Sequence, residues 1–326
     1  MIATLLEQLH ADGLVSPESY AKIKWKQQHI LISVHWEIKT LLYLGVLLLS
    51  ASFSILVYKN IATIGHQVIL LFIALVCSGC FFYCFKKKLP YSAGKVAAPN
   101  AFFDYVLLLG CCTFITFTGY LQFQYNFFGN RYGLALFFPM LILFFSAYYF
   151  DHLGILSMAI VNFGAWLGIT VTPVGILESN DFNDARIIFT GLALGIVIML
   201  AAWVTHKKNI KKHFEFTYAN FGTHLLLISS FAAMFHYGNF YLAWFVLLIG
   251  LVYFFYRRAM HEKSFYFILI NTLYAYIGIS YVVINLLTQI HGADLVPIYL
   301  GFFYFIISGI ALVLFLIRTN KKIKAA

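Results

Sequence analysis

The sequence predicts an all-α protein, a polytopic bundle of about ten transmembrane helices with both termini in the cytoplasm. Three observations predict it. Of 326 residues, 62% are apolar and only 10% charged, whereas soluble domains carry about a quarter charged residues. That apolar surface exceeds what one or two soluble cores could enclose, so lipid must be the solvent for most of the chain. Ten apolar runs approach the roughly 20 residues needed to cross a hydrocarbon core of about 30 Å. Finally, lysine and arginine concentrate in alternate loops. The net charge of +10 therefore marks membrane edges rather than one basic face for nucleic acid, and no nucleic-acid partner is expected.

Residues 1–38 come first and read as a cytoplasmic or membrane-surface module, a short amphipathic helical hairpin. Ile2, Leu5, Leu6 and Leu9 share one helical face, and Asp12-Gly13 ends that helix. Ser16-Pro17-Glu18 restarts one, with a serine N-cap, proline at the first helical position and an acid near the positive end of the dipole. Tyr20, Ile23, Gln27, Ile30, Leu31 and Val34 line one side, while Lys22, Lys24, Trp25 and Lys26 suit contact with anionic headgroups. The alternative is a hairpin packed on the ends of the bundle or on a cytoplasmic protein partner. Leu5-Leu6-Glu7-Gln8-Leu9, Gly13-Leu14-Val15-Ser16-Pro17-Glu18 and Tyr20 with Ile23 together resemble the N-terminal signature of the bacterial predicted membrane proteins catalogued as domain of unknown function 2157. The resemblance implies a bacterial inner-membrane protein and brings no catalytic residues.

Residues 39–326 form the bundle, with spans expected near 41–57, 66–85, 103–121, 133–150, 153–171, 187–205, 217–235, 239–256, 265–287 and 295–317. No cleavable leader is expected, so the first span serves as an uncleaved one. Between the fourth and fifth spans only Asp151 and His152 intervene, and Gly154 offers a sharp turn. Orientation follows from the excess of Lys and Arg in cytoplasmic loops. One set of alternate loops holds 19 of the 22 basic residues, and the other holds only Lys59, Arg131 and Arg186. An odd number of spans would scramble this alternation, so the charges support ten, with both ends inside.

Polar groups at membrane depth face the bundle interior and are the first places to look for function. Asn271, Tyr274, Gly278, Tyr281, Asn285 and Thr288 recur at steps of three and four along the ninth span. They line a polar substrate path, or they form interhelical hydrogen bonds worth about 1 kcal/mol each. Asn162 and Asn220 lie at a similar depth in the fifth and seventh spans, both in Asn-Phe-Gly, which hints that spans four to nine are three tandem hairpins. His224, one turn after Asn220, is a proton carrier or a hydrogen-bonding neighbour. Asp104 suits the N-terminal turn of its span. Asp151-His152 is an acid/base pair or simply a turn.

Cys77, Cys80 and Cys84 share one face, but no histidine or carboxylate joins them at a metal-site spacing, so they read as packing residues and no cofactor or metal is expected. Gly164/Gly168 and Gly191/Gly195 have the spacing of close helix approach. Glu178, Asp181 and Asp184 in the outer loop 172–186 lack a calcium-loop pattern. No phosphate loop, zinc-protease helix or nucleophile elbow occurs.

Three functions follow in order of expectation. The first is a transporter or binder of a small or lipid-like ligand, with Asn162, Asn220, His224, Asn271, Tyr274, Tyr281 and Asn285 as bundle-interior polar candidates. The second is a scaffold, sensor or assembly factor acting through residues 1–38. The third, an intramembrane lipid-modifying enzyme using Asp151 and His152, is the least expected because so few polar residues converge.

Overall fold

The computed structural model describes residues 12, 15–20, 22, 35–59, 65–171, 184–291 and 295–325. The chain divides into two compact units, Met1–Ser52 and Phe53–Ala326. In the first unit the helix restart at Ser16 is present. Residues 17–20 are helical, the Ser19 amide donates to Ser16 Oγ at 3.3 Å, and the Tyr20 amide donates to the Ser16 carbonyl at 2.9 Å. The serine satisfies an amide that the first helical turn leaves without a partner. The preceding helix expected over Ile2–Leu9 lies outside the described residues.

Ten long α-helices follow among the described residues: α1 (His35–Lys59), α2 (His66–Lys87), α3 (Ala101–Tyr125), α4 (Tyr132–Phe150), α5 (Leu153–Val171), α6 (Ala185–Lys208), α7 (Glu215–His236), α8 (Tyr241–His261), α9 (Phe265–His291) and α10 (Val296–Ala325), with one-turn 3-10 helices at Lys212–Phe214 and Gly238–Phe240. The described residues contain no strand. The expected all-α polytopic bundle is therefore the fold. Nine of the described helices are long and apolar enough to cross a membrane, where the sequence predicts about ten. The remaining helix is α7, which has the length, 22 residues or about 33 Å, but carries Asn220, Thr223, His224, Ser229 and Ser230. It tolerates them because α6 and α8 cover it. Ten of its residues, including Thr223, Ser229 and Ser230, are buried.

In the second unit, helices adjacent in sequence pack as hairpins: α2 with α3, α4 with α5, α6 with α7 and α8 with α9. Their connections, 88–100, 151–152, 209–214 and 262–264, carry the lysine-rich loops and define what is called here the basic end. The starts of α3 and α6 are fastened by side-chain caps. Asn100 accepts from the Phe103 amide at 2.7 Å to cap α3, and Asp184 accepts from the Arg186 amide at 2.7 Å to cap α6. The hydrogen bonds from the Arg186 side chain and amide hold the Asp184 carboxyl below the usual carboxylate range. The α4–α5 turn differs from expectation. Its left-handed residue is Asp151, at φ 60°, a conformation that Asp tolerates, while Gly154 lies within α5. A Cβ on Gly154 would sit 3.0 Å from His152 Cε1, so this glycine makes room for the imidazole.

The core of the later helices joins Leu226, Leu227 and Met234 of α7 to Tyr241, Leu248 and Phe255 of α8 and Val282 of α9. Small residues let α6 and α7 approach closely: a Cβ on Gly195 would lie 2.7 Å from Leu226 Cγ, and one on Gly222 would lie 2.8 Å from Met199 Sδ. The cysteines are free and buried in α2 and α3, with Cys77 Sγ donating to the Gly110 carbonyl at 3.6 Å. This is packing at a helix contact.

Candidate functional site at the basic end

Four acids lie at the basic end of α2–α9, namely Asp104, Asp151, Glu215 and Glu262; the last three each pair with a lysine or arginine, and Asp104 faces the His152 ring. The pairing of Asp151 is the most buried. Its side chain is 1% exposed, as is that of Lys211, whose Nζ lies 3.1 Å from Asp151 Oδ2. His213 Nε2 meets Asp151 Oδ1 at 2.5 Å, and the Val96 amide donates to Asp151 Oδ2 at 2.5 Å. Lys211 also donates from Nζ to the Gly94 carbonyl at 3.1 Å and from its backbone amide to the Ala93 carbonyl at 2.7 Å, with its ammonium 5.0 Å from the Tyr91 ring centre. A buried charge needs this full set of partners. The result ties three connections together, 88–100, 151–152 and 209–214.

The turn that presents Lys211 is built from left-handed residues, Asn209 at φ 53° and Lys211 at φ 50°. Phe214, fully buried, anchors it by packing edge-on against the Tyr148 ring. Nearby, Tyr148 and Tyr218 share a hydroxyl hydrogen bond of 2.8 Å. His152 stands apart from this knot. Its Nδ1 accepts from the Ile155 amide at 3.2 Å and so caps α5, which directs its other nitrogen toward Asp104 Oδ1 at 4.0 Å.

Beside the knot a cavity of about 500 Å³ opens among loop 94–95 and the basic ends of α6, α7, α8 and α9. Lys95, Lys212, His206, His213, Arg258, Glu215 and Glu262 line it. Arg258 bridges the two acids, with Nη2 3.1 Å from Glu215 Oε1 and Nε 2.6 Å from Glu262 Oε1, while His206 Nδ1 is 2.8 Å from Glu215 Oε2. Inward of this network, a narrow space of about 10 Å³ continues between Ala219, Thr223, Phe255 and Phe267. That is room for about one water molecule.

The residues selected from the sequence are distributed as follows. Asn271 is fully buried, and neither amide atom has a hydrogen-bond partner. It lies one helical turn, about 6 Å, inward of Phe267. His224 Nδ1 and Tyr274 Oη meet at 3.0 Å, joining α7 to α9. Asn162 is buried with its Oδ1 unpartnered. Asn220 is half-buried and accepts from Tyr266 Oη at 2.8 Å. No hydrogen bond links the three amides to one another. Tyr281 packs in an aromatic cluster, 4.5 Å from Phe235 and 6.0 Å from Tyr241 between ring centres. Asn285, half-buried, lies toward the opposite end of α9. The ninth-helix stripe is thus not one polar lining: its inner part meets α7, and Tyr281 belongs to the aromatic packing.

Sequence reasoning did not single out Lys211, His213, Glu215, Arg258 or Glu262. One signal for them lies in the loop composition. The loops of the basic end hold few acids among many cations, and electrostatics pairs each acid it can reach. Among the described residues, no group of three or more His, Cys, Asp or Glu side chains is arranged to hold a metal ion. Glu178 and Asp181 of the outer loop lie outside the described residues.

The model of a family described as predicted membrane protein (DUF2157) matches residues 7–156, in agreement with the resemblance read from the N-terminal residues. The match reaches from the N-terminal module to the start of α5, taking in Asp151 and loop 88–100. No curated protein and no solved structure matches the chain. The chain is a membrane protein whose several apolar helices place it in a lipid bilayer.

Proposed function

We propose that this protein binds a small polar ligand between α7, α8 and α9 and admits it from the basic end, as a transporter or a membrane binding protein. The observation that carries this reading is Asn271. A buried polar atom left without a partner costs about 1–3 kcal/mol, and this amide leaves two so. A purely adhesive role would require a partner on a neighbouring helix, of the kind that His224 and Tyr274 give each other. Instead, Asn271 lies just inward of the cavity bordered by charged side chains, on the same face as Phe267, which lines both the cavity and its narrow extension. Asn162, with its unpartnered oxygen, is a second candidate contact from α5.

The enzymatic reading fares less well on geometry. Asp151 is held by Val96, Lys211 and His213, and His152 caps α5, so neither is disposed as a free acid or base.

Single cysteines at Phe267, Asn271 and Leu248 test the reading with a membrane-impermeant thiol reagent, applied to vesicles of each orientation. The wild-type chain, whose own cysteines are buried, supplies the background. Labelling at 267 and 271 from the basic side alone is expected, with Leu248→Cys, in the apolar core, unreactive. Failure of both 267 and 271 to react from either side overturns the reading.

A further inference from the structure

We infer that the ligand admitted at the basic end carries an anionic phosphate or carboxylate group, and that Lys95 and Lys212 dock it. This rests on the access reading above. The two acids lining the cavity are already engaged, Glu215 by Arg258 and His206 and Glu262 by Arg258. Lys95 and Lys212, both exposed, line the same cavity and make no ion pair among the described residues. Their ammonium groups are the uncommitted charges of this site, and they are positive.

Their placement is built. Lys95 precedes Val96, whose amide donates to Asp151. Lys212 lies between Lys211 and His213, both of which contact the same carboxylate. Lys211 further stitches its own segment to Ala93 and Gly94. One buried carboxylate therefore sets the backbone on both sides of the cavity and brings to it two cations far apart in sequence. Cations that serve only membrane orientation need no such anchor: Lys207 and Lys208 lie at the same end without lining the cavity. Lysine ammonium groups act as point charges toward phosphate and carboxylate oxygens, and an anion between two of them gains where a cation or a neutral ligand does not.

The test uses the purified full-length protein with two probes of the same chemistry. Equilibrium dialysis measures binding of radiolabelled inorganic phosphate, and a fluorescent short-chain phosphatidylglycerol, compared with the phosphatidylcholine of equal chain length, reports a lipid headgroup. Saturable binding of either anion is expected, weakened about tenfold by Lys95→Gln and by Lys212→Gln, as loss of one charged contact implies. Lys208→Gln leaves it unchanged. These lysines are exposed, so the variants should fold. Lysine-dependent binding of phosphate identifies a soluble anion; lysine-dependent binding of phosphatidylglycerol without phosphate identifies a headgroup, and the proposal stands in both cases. Absence of binding by both anions, or binding that all three variants weaken equally, overturns it. If Asn271→Cys labels from the basic side while neither anion binds, the access reading survives and the anionic assignment falls.

Discussion

Asp151 illustrates how one side chain can organise a membrane edge. It is the left-handed turn residue between α4 and α5 and also the carboxylate that holds Lys211, His213 and the Val96 amide. Replacing a buried ion pair by apolar groups of similar size is often neutral, whereas removing one member strands the other. Asp151→Asn is therefore expected to destabilise the protein by about 3–5 kcal/mol, seen as a lower midpoint of thermal unfolding in detergent. Asp151→Asn combined with Lys211→Met keeps at 151 a residue that tolerates the left-handed turn and should recover part of the loss; a double variant no more stable than Asp151→Asn would show that the ion pair is not the cause. Arg258 calls for a different expectation. It is partly exposed and bridges two acids, and exposed pairs are worth about 1 kcal/mol or less. Arg258→Gln should barely move the unfolding midpoint, yet it leaves Glu215 and Glu262 less compensated in the cavity and should weaken phosphate binding. An unchanged affinity would remove the cavity potential from the account.

Among the described helices, α6 and α7 form the most extensive contact. Gly191, Gly195 and Gly222 allow it: a Cβ on Gly191 would collide with Ser229 Oγ, and one on Gly195 would lie 3.2 Å from the Leu226 backbone nitrogen as well as against its side chain. Backbone cannot step aside as a flexible side-chain tip can. Gly195→Ala is expected to cost about 1–3 kcal/mol, the usual penalty of overpacking, measured by thermal unfolding. Gly164→Ala should be nearly neutral, because its Cβ would meet only Leu194 Cδ2, at 3.6 Å. Equal effects would contradict the packing described. Both glycine positions were legible from their spacing in the sequence. Their difference was not, since small-xxx-small states that a close approach is possible and leaves open which glycine is used.

At the scale of the molecule, α7 decides the topology. Its length suits a hydrocarbon core of about 30 Å, and its polar residues are turned largely into the bundle. If α7 crosses, α8–α10 keep the orientation that puts Arg257, Arg258, Lys263 and Lys321, Lys322 and Lys324 on the same side as Lys86–Lys88, as the inside excess of cations requires. Reporter fusions at both termini are then expected to report the cytoplasm. A fusion in the 238–240 turn between α7 and α8 should report the opposite side. A C-terminal fusion found outside would mean that α7 does not cross.

What the sequence by itself determined was the membrane class, the helical fold and the approximate positions of the helices, because these depend on composition summed over some 20 residues. It also marked Asn271 as a polar residue facing inward, because helical spacing requires only a neighbour's position along one chain. Only the tertiary structure decided what Asn271 lacks, what Asp151 holds and which cations remain uncommitted. Asp151 meets Val96 and His213, 55 and 62 residues away, and Lys211 meets Gly94 across 117. Pairings at such separations are set by how the hairpins pack, and no local period or loop charge encodes them.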